Sequence, residues 1–225
     1  VEIQSTFYRL PQVETAERWK AEAPEGFILC AKAWQAITHP PSSPTWRRSG
    51  LKPEELQNKL YGFLRPTADN FDAWEKTKKI CEAAGVRICI IQCPASFKYS
   101  EENLASMEEF LKRIDRGKLT LAWEPRGNWN QHPEVVKQLC RKLDLIHAVD
   151  PFKDEPRHLS KNRIAYFRLH GLGKPSPYNY QYSKQDLEKL IEIVQNLPAK
   201  EVFCMFNNVY MLEDAKRFKQ KLSRK

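Results

Sequence analysis

The chain has 225 residues, 41% of them hydrophobic, which is enough to bury a large core. Its formal net charge of +9 favours phosphorylated or polyanionic partners. No apolar stretch approaches the roughly 20 residues of a membrane helix, and no signal peptide is visible, so we expect no membrane partner and a cytoplasmic location.

Strand-like segments alternate with amphipathic helical segments along the chain. The predicted strands span 1–9, 27–34, 87–93, 119–124, 145–150, 163–170 and 201–207. The predicted helices span 13–23, 53–64, 69–84, 101–115, 132–143, 183–196 and 210–222. This alternation predicts an α/β protein with a parallel sheet and helices outside it.

Eight parallel strands close a TIM-like (β/α) barrel, and seven are recognisable here. Because a strand-like segment opens the sequence, we expect the first barrel strand upstream of Val1. A doubly wound open sheet is the alternative, although the sequence lacks the Gly-rich phosphate turn typical of that fold. We therefore predict a single α/β barrel domain over 1–225, with a basic, aromatic lid at about 38–66.

Polar side chains occur at the carboxyl ends of the predicted strands, where TIM barrels hold their active sites. They are Glu2, Lys32, Gln92, Glu124, Arg126, Asp150, Arg168, His170 and Asn207. Isolated buried charges cost several kcal/mol each unless they are paired. One interpretation is therefore a barrel mouth closed by ion pairs, and the other is a polar pocket that binds a substrate.

The residue types in this set suit anion binding and proton transfer. Arginine and lysine clamp phosphate or carboxylate groups, so we expect Lys32, Arg126 and Arg168 to bind substrate, with Gln92 and Asn207 beside them. We expect the proton-transferring groups to be Glu124, His170, Glu2 and Asp150. A divalent metal is left open as cofactor, because no metal-ligand motif occurs.

The six cysteines lie mostly in apolar runs and form no CxxC pair. We expect buried, reduced thiols, with a redox or zinc site as the alternative.

The predicted lid interleaves aromatic and basic residues, among them Trp46, Arg47 and Arg48. Aromatic rings can stack on bases while cations neutralise phosphates, so we expect these three residues to bind nucleic acid, as single strands or locally opened DNA. The alternative is a lid whose aromatic side chains pack inward and whose cations are merely solvated.

Several motifs resemble those of the YecE-like domain-of-unknown-function-72 family, in that family's order over essentially the whole chain. They are "EIQSTFYRLP" (2–11), "AKAW" with Thr38-His39 (31–39), "QCPASF" (92–97), "WEPRGNW" (123–129), "YFRLHG" (166–171) and "FNN" (206–208). The resemblance implies a TIM-like barrel whose pocket positions are Glu2, Thr6, Tyr8, Lys32, Gln92, Glu124, Arg126, Arg168, His170 and Asn207. We accordingly add Tyr8 to the expected substrate-binding residues.

The family supplies no settled reaction, but its barrel is similar in fold to endonuclease IV and to sugar isomerases. We therefore expect a nucleic-acid-processing phosphodiesterase, a hydrolase similar to a DNA endonuclease. The alternatives are an isomerase or lyase acting on a small phosphorylated or carboxylated metabolite, and a non-catalytic module that binds nucleic acid or another anion. The oligomeric state is not predicted.

Overall fold

A computed structural model describes residues 1–223 of the chain. These residues form two compact units, Val1–Leu145 and a second unit that begins at Ile146.

In the first unit, four parallel strands adjoin in chain order. They are β1 (Glu2–Ile3), β2 (Cys30–Lys32), β3 (Ile88–Gln92) and β4 (Thr120–Glu124). The helices are α1 (Ser5–Tyr8), α2 (Val13–Glu22), α3 (Gln35–Thr38), α4 (Pro53–Leu56), α5 (Ala68–Ala83), α6 (Glu101–Arg113) and α7 (Pro133–Leu143). Short 3-10 helices span Pro44–Arg48 and Trp129–Gln131.

The second unit holds three further parallel strands, again adjoining in chain order. They are β5 (Leu145–Val149), β6 (Ile164–Leu169) and β7 (Glu201–Phe206), with helices α8 (Lys184–Asn196) and α9 (Met211–Leu222). The unit boundary falls after the first residue of β5.

This succession of parallel strands and helices defines an α/β fold of the TIM-barrel-like class, which confirms the predicted fold class. Neither unit contains the reversal of strand order that a doubly wound sheet requires. Within residues 1–223 there are seven strands, and the eighth, expected ahead of Val1, stays a prediction. Of the helices in that range, each is too short or too polar to cross a membrane.

Local sequence signals set the helix boundaries. The Ser100 hydroxyl accepts a hydrogen bond from the Asn103 N–H at 3.1 Å and begins α6. Ser183 and Asp186 form a reciprocal capping box at the start of α8. Asp144 ends α7 in a left-handed conformation with φ of 48°.

Alternation along the strands separates an apolar face from a polar one. Ala31, Cys89, Ile91, Leu121 and Trp123 belong to the hydrophobic core of the first unit, together with residues of the packed helices. Since successive strand residues point to opposite faces, the side chains at 32, 92 and 124 lie on the other side of the sheet. In the second unit Phe167 and Leu169 pack in the core with α8, which places Arg168 on the opposite face.

The predicted strand over 1–9 is wrong beyond Ile3, because the chain turns into the short helix α1. The Thr6 hydroxyl lies 2.7 Å from the carbonyl oxygen of Lys32, to which it can donate, and this contact brings α1 to the end of β2. Thr6 and Tyr8 therefore lie on a helix and not on a strand.

The predicted helix over 53–64 is also wrong, because α4 ends at Leu56. The segment that follows takes positive φ values, including 92° at Gly62 and 57° at Phe63. Its backbone N–H groups instead bind carbonyl oxygens of α3, with the Gly62 N–H 2.8 Å from Ala36. The Asn70 side chain fixes this arrangement by bonding both the N–H and the carbonyl of Gly62, each at 3.0 Å.

Candidate functional site

Lys32 ends β2 with only 7% of its surface exposed. Its ammonium lies 3.6 Å from the centroid of the Phe7 ring, so helix α1 supplies a cation–π contact to the charge. A lysine held on a ring face at the carboxyl end of a strand is oriented for binding an anion.

His39 is the residue that our sequence analysis missed, although it belongs to the quoted Thr38-His39 motif. It follows α3, is 5% exposed, and packs edge-on against Phe7 with ring centroids 4.9 Å apart. Its Nδ1 shares a hydrogen bond of 2.8 Å with the Thr38 hydroxyl. Burial, and then the charges of Lys32 and Arg126, lower the pKa of His39 to about 4. The imidazole is therefore neutral at physiological pH.

Glu124 ends β4 and accepts hydrogen bonds from Nε and Nη2 of Arg126 at 2.9 and 2.8 Å. Gln92 is its register partner on β3, so the two side chains leave neighbouring strands at the same level. Lys32, His39, Glu124 and Arg126 are called the Lys32 site below. It combines two cations, a neutral imidazole and a paired carboxylate within one unit.

Glu2 is half-buried and accepts a hydrogen bond from the Gln4 amide. This bond holds the carboxylate beside the turn from β1 into α1. Gln4 therefore positions the Glu2 carboxylate.

Tyr8 and Arg48 form a second polar pair in the first unit. The Arg48 guanidinium lies 3.8 Å from the centroid of the Tyr8 ring, and its Nη1 donates to the Tyr8 hydroxyl at 2.7 Å. The Phe7 and Tyr8 rings meet edge to face at 5.0 Å. Because Phe7 also contacts Lys32, this pair lies one ring away from the Lys32 site.

Trp46 packs inward, as the alternative of a lid with inward-packing aromatic side chains requires. It is only 4% exposed, stacks on Tyr61 with ring centroids 5.5 Å apart, and donates from Nε1 to the Pro40 carbonyl at 2.8 Å. Its ring is used inside the unit and is not available to stack on a base. Arg47 and Arg48 are exposed, as their predicted role requires.

In the second unit, β6 delivers Arg168 and His170, which are 1% and 9% exposed. The His170 ring meets Tyr178 edge to face at 5.8 Å. Asp150 follows β5 and pairs with Lys153 at 3.0 Å, while Asn207 follows β7 and donates its backbone N–H to Leu169 at 2.8 Å. These predicted residues therefore lie at the carboxyl ends of the strands of this unit.

A polar network that the sequence analysis did not identify ties the loop after β6 to α9. The Asn208 amide donates to the Tyr180 carbonyl and to Asp214 Oδ2, both at 2.7 Å. Asp214 is fully buried and pairs with Arg217 at 3.0 Å. The Tyr182 hydroxyl accepts the Gly171 N–H at 2.8 Å, and burial raises the pKa of that phenol. Asn208, the second asparagine of "FNN", thus has a structural role.

The cysteines are free thiols, and five of them are buried, which agrees with the predicted reduced state. Burial raises the pKa of Cys93 to about 12. Within residues 1–223, no group of three His, Cys, Asp or Glu side chains is arranged to hold a metal ion.

The fold and the polar side chains at its strand ends define an α/β protein of the TIM-barrel-like class. The family described as "Protein of unknown function DUF72" matches residues 1–225, and the chain belongs to this family. Comparison with curated proteins and with solved structures gave no match.

Proposed function

We propose that the chain is an enzyme that binds a phosphate or carboxylate group at the Lys32 site and moves a proton on it. The observation that carries this proposal is the neutral, buried His39 under the influence of two cations, Lys32 and Arg126. Lysine and arginine side chains bind anionic groups, and a neutral imidazole can accept a proton.

Anion binding would also change the proton affinity of His39. The positive charges of Lys32 and Arg126 contribute to its low pKa in the free protein. An anion bound beside them offsets that repulsion and raises the pKa towards neutrality, where an acid–base group works best. His39 is therefore a weaker base in the free protein than in the complex.

The first substrate class is a phosphodiester in nucleic acid. The net charge of +9 and the exposed Arg47 and Arg48 support a polyanionic substrate. In such a reaction, Lys32 and Arg126 would offset the phosphate charge, and His39 or Glu124 would take the proton of the attacking water. As the water oxygen bonds to phosphorus and the P–O bond to the leaving group breaks, that proton would pass to the leaving oxygen. In this proposal Trp46 has a structural role, because it is buried.

The second class is a small phosphorylated or carboxylated metabolite, converted by an isomerase or lyase. The recessed position of the site favours it, since Lys32, His39 and Glu124 are only 7%, 5% and 8% exposed. A site of this depth suits a small group better than a duplex. Here Glu124 or His39 would remove a proton from carbon while the cations hold the anion.

The residues of the second unit remain part of the proposal. In the first unit, Glu2 is proposed for proton transfer and Gln92 for substrate binding. In the second unit, His170 and Asp150 are proposed for proton transfer, and Arg168 and Asn207 for substrate binding. Their places at strand ends and the charge of Arg168 support these roles.

The test is turnover by the full chain of labelled single- and double-stranded DNA and of a panel of small phosphate and carboxylate metabolites, with and without divalent metals. His39→Gln and Lys32→Met should each lower the rate about 100-fold or more. Lys98→Met, at an exposed position, is the matched charge control. Turnover that survives both site variants would contradict the proposal, and anion binding without turnover would leave a non-catalytic module.

A further inference from the structure

An open cleft of about 640 Å³ lies in the first unit, next to the Lys32 site but distinct from it. Its walls include Gln4, Tyr8, Arg9, Gln12, Trp19 and Arg48. Pockets of roughly 300–1,000 Å³ are the usual size for small ligands. The cleft can therefore hold a molecule larger than a single phosphate.

The charge of the cleft selects an anion. Of the ten described residues that line it, Arg9 and Arg48 are cationic and none is an aspartate or glutamate. Arg9 lies beside the turn that carries Arg48, since a Cβ on Gly50 would stand 3.5 Å from its Nη1. Both guanidinium groups are exposed and thus accessible to a ligand.

The cleft also offers planar surfaces. The Arg48 Cζ lies 3.8 Å from the centroid of the Tyr8 ring, and Nη1 donates to the Tyr8 hydroxyl at 2.7 Å, so Tyr8 holds the guanidinium in place. A guanidinium held on one side by a ring can receive an aromatic group on its other side, and nucleobases stack on arginine side chains in this way. Trp19 adds a half-buried indole to the same cleft.

We propose that the cleft binds a nucleotide unit, with the base stacked on Arg48 and the phosphate bound by Arg9. This inference rests on the proposed function and narrows its substrate to nucleic acid or a free nucleotide. Phe7 and Tyr8 connect the two regions, so a strand with one nucleotide in the cleft has a neighbouring phosphate near the Lys32 site.

The experiment measures binding of three probes to the full chain by fluorescence anisotropy or calorimetry. The probes are a single-stranded oligothymidylate, an abasic deoxyribose-phosphate oligomer of equal length, and thymidine monophosphate. The oligothymidylate should bind about tenfold or more tightly than the abasic oligomer, because stacking contributes only to the former. The monophosphate distinguishes the two sources of the nucleotide unit, since a free-nucleotide site binds it as tightly as the oligomer.

Three variants separate stacking from charge. Arg48→Ala should weaken oligothymidylate binding about tenfold. Arg48→Lys keeps the charge but loses the plane, so it should weaken oligothymidylate binding while leaving abasic binding unchanged. Arg18→Ala, which removes an exposed arginine of α2 outside the cleft, is the charge control and should have little effect.

Equal binding of the abasic and base-bearing oligomers, no binding of either, or equal losses in Arg18→Ala and Arg48→Ala would each overturn the nucleotide cleft. Lys32→Met separates this result from the proposed function, because it should lower turnover about 100-fold or more while the preference for the oligothymidylate over the abasic oligomer persists. Turnover of another anion that depends on Lys32, without any preference for base-bearing oligomers, would support the proposed function of the Lys32 site. The same result would contradict nucleotide binding in the cleft.

Discussion

Both hydrogen bonds that Arg126 donates to Glu124 end on the same oxygen, Oε1, at 2.9 Å from Nε and 2.8 Å from Nη2. The Glu124 side chain is 10% exposed and that of Arg126 35%. The pair is thus shielded on the carboxylate side and open on the guanidinium side. Arg126 is held in place by Glu124 while it keeps access to solvent, as a substrate-binding cation requires.

Glu124→Gln should destabilise the protein by about 1–3 kcal/mol, because the charge-assisted bonds are lost from a mostly buried acceptor. Urea denaturation measures this loss. Glu109→Gln is the matched control: its i,i+4 pair with Arg113 is more than half exposed, so the change should stay below about 0.5 kcal/mol. Equal losses of stability at the two positions would show that the Glu124–Arg126 pair stabilises the protein no more than a surface ion pair does.

The stability of the protein should fall as the pH is lowered through the range set by His39. Its pKa drops from an ordinary 6.5 to about 4 on folding, so between these values the unfolded chain binds a proton that the native state does not. The native state therefore loses up to about 3 kcal/mol of stability across this window.

Denaturation at successive pH values, with an NMR titration of the His39 ring, measures this effect. His39→Gln should reduce the slope between pH 4 and 6.5. His132→Gln, a histidine at the start of α7, retains His39 and hence its contribution. A His39 ring that titrates near its ordinary pKa would contradict the account of the site.

Trp46 should prove to be a core residue and not a nucleic-acid contact. Trp46→Ala should cost about 3–5 kcal/mol, as truncations of buried tryptophans do. Trp46→Phe keeps a ring against Tyr61 but loses the bond to the Pro40 carbonyl, so about 1–2 kcal/mol is expected. Nucleic-acid binding by the folded Trp46→Phe protein should equal that of the wild type, and a clear loss would restore the stacking role.

Gly171 should tolerate no side chain. Its φ is 95°, and a Cβ there would stand 2.0 Å from the carbonyl oxygen of Pro177. Gly171→Ala should therefore cost more than about 3 kcal/mol or displace the loop after His170. Gly26→Ala is the control, with φ of 74° and no atom near the new Cβ, so only the backbone cost of about 1–2 kcal/mol applies. Thermal denaturation compares the two.

Much of the fold could be predicted from the sequence because its strands and long helices carry strong periodic patterns. Ser100 and Ser183 are N-cap residues that can be recognised in the sequence. The alternation of apolar residues around Arg168 predicts that its side chain points away from the core. The errors fall where tertiary contacts override local preference. The Thr6 hydroxyl bonds the end of β2 in place of extending a strand, and Gly62 bonds α3 in place of continuing a helix.

The candidate site was predicted in its charged residues but not in His39. Lys32 and Glu124 end strands, a position that can be read from hydrophobic alternation. His39 lies beyond α3. Its packing against Phe7 and the charges of Lys32 and Arg126 beside it place it in the candidate site. In the sequence, His39 stood out only as part of the Thr38-His39 motif. That motif has no hydrophobic periodicity from which the position of the side chain could be predicted.

Helix α1 has one more consequence, because consecutive residues of a helix point in different directions. Phe7 contacts the ammonium of Lys32, and Tyr8 contacts the guanidinium of Arg48, so a single helical turn lies between the Lys32 site and the cleft, the two binding sites that we propose. A ligand that shifts this wall from one side changes the affinity on the other, and thermodynamic reciprocity makes the two effects equal. We therefore expect ligand binding in the proposed cleft and at the proposed Lys32 site to be coupled through this short helix.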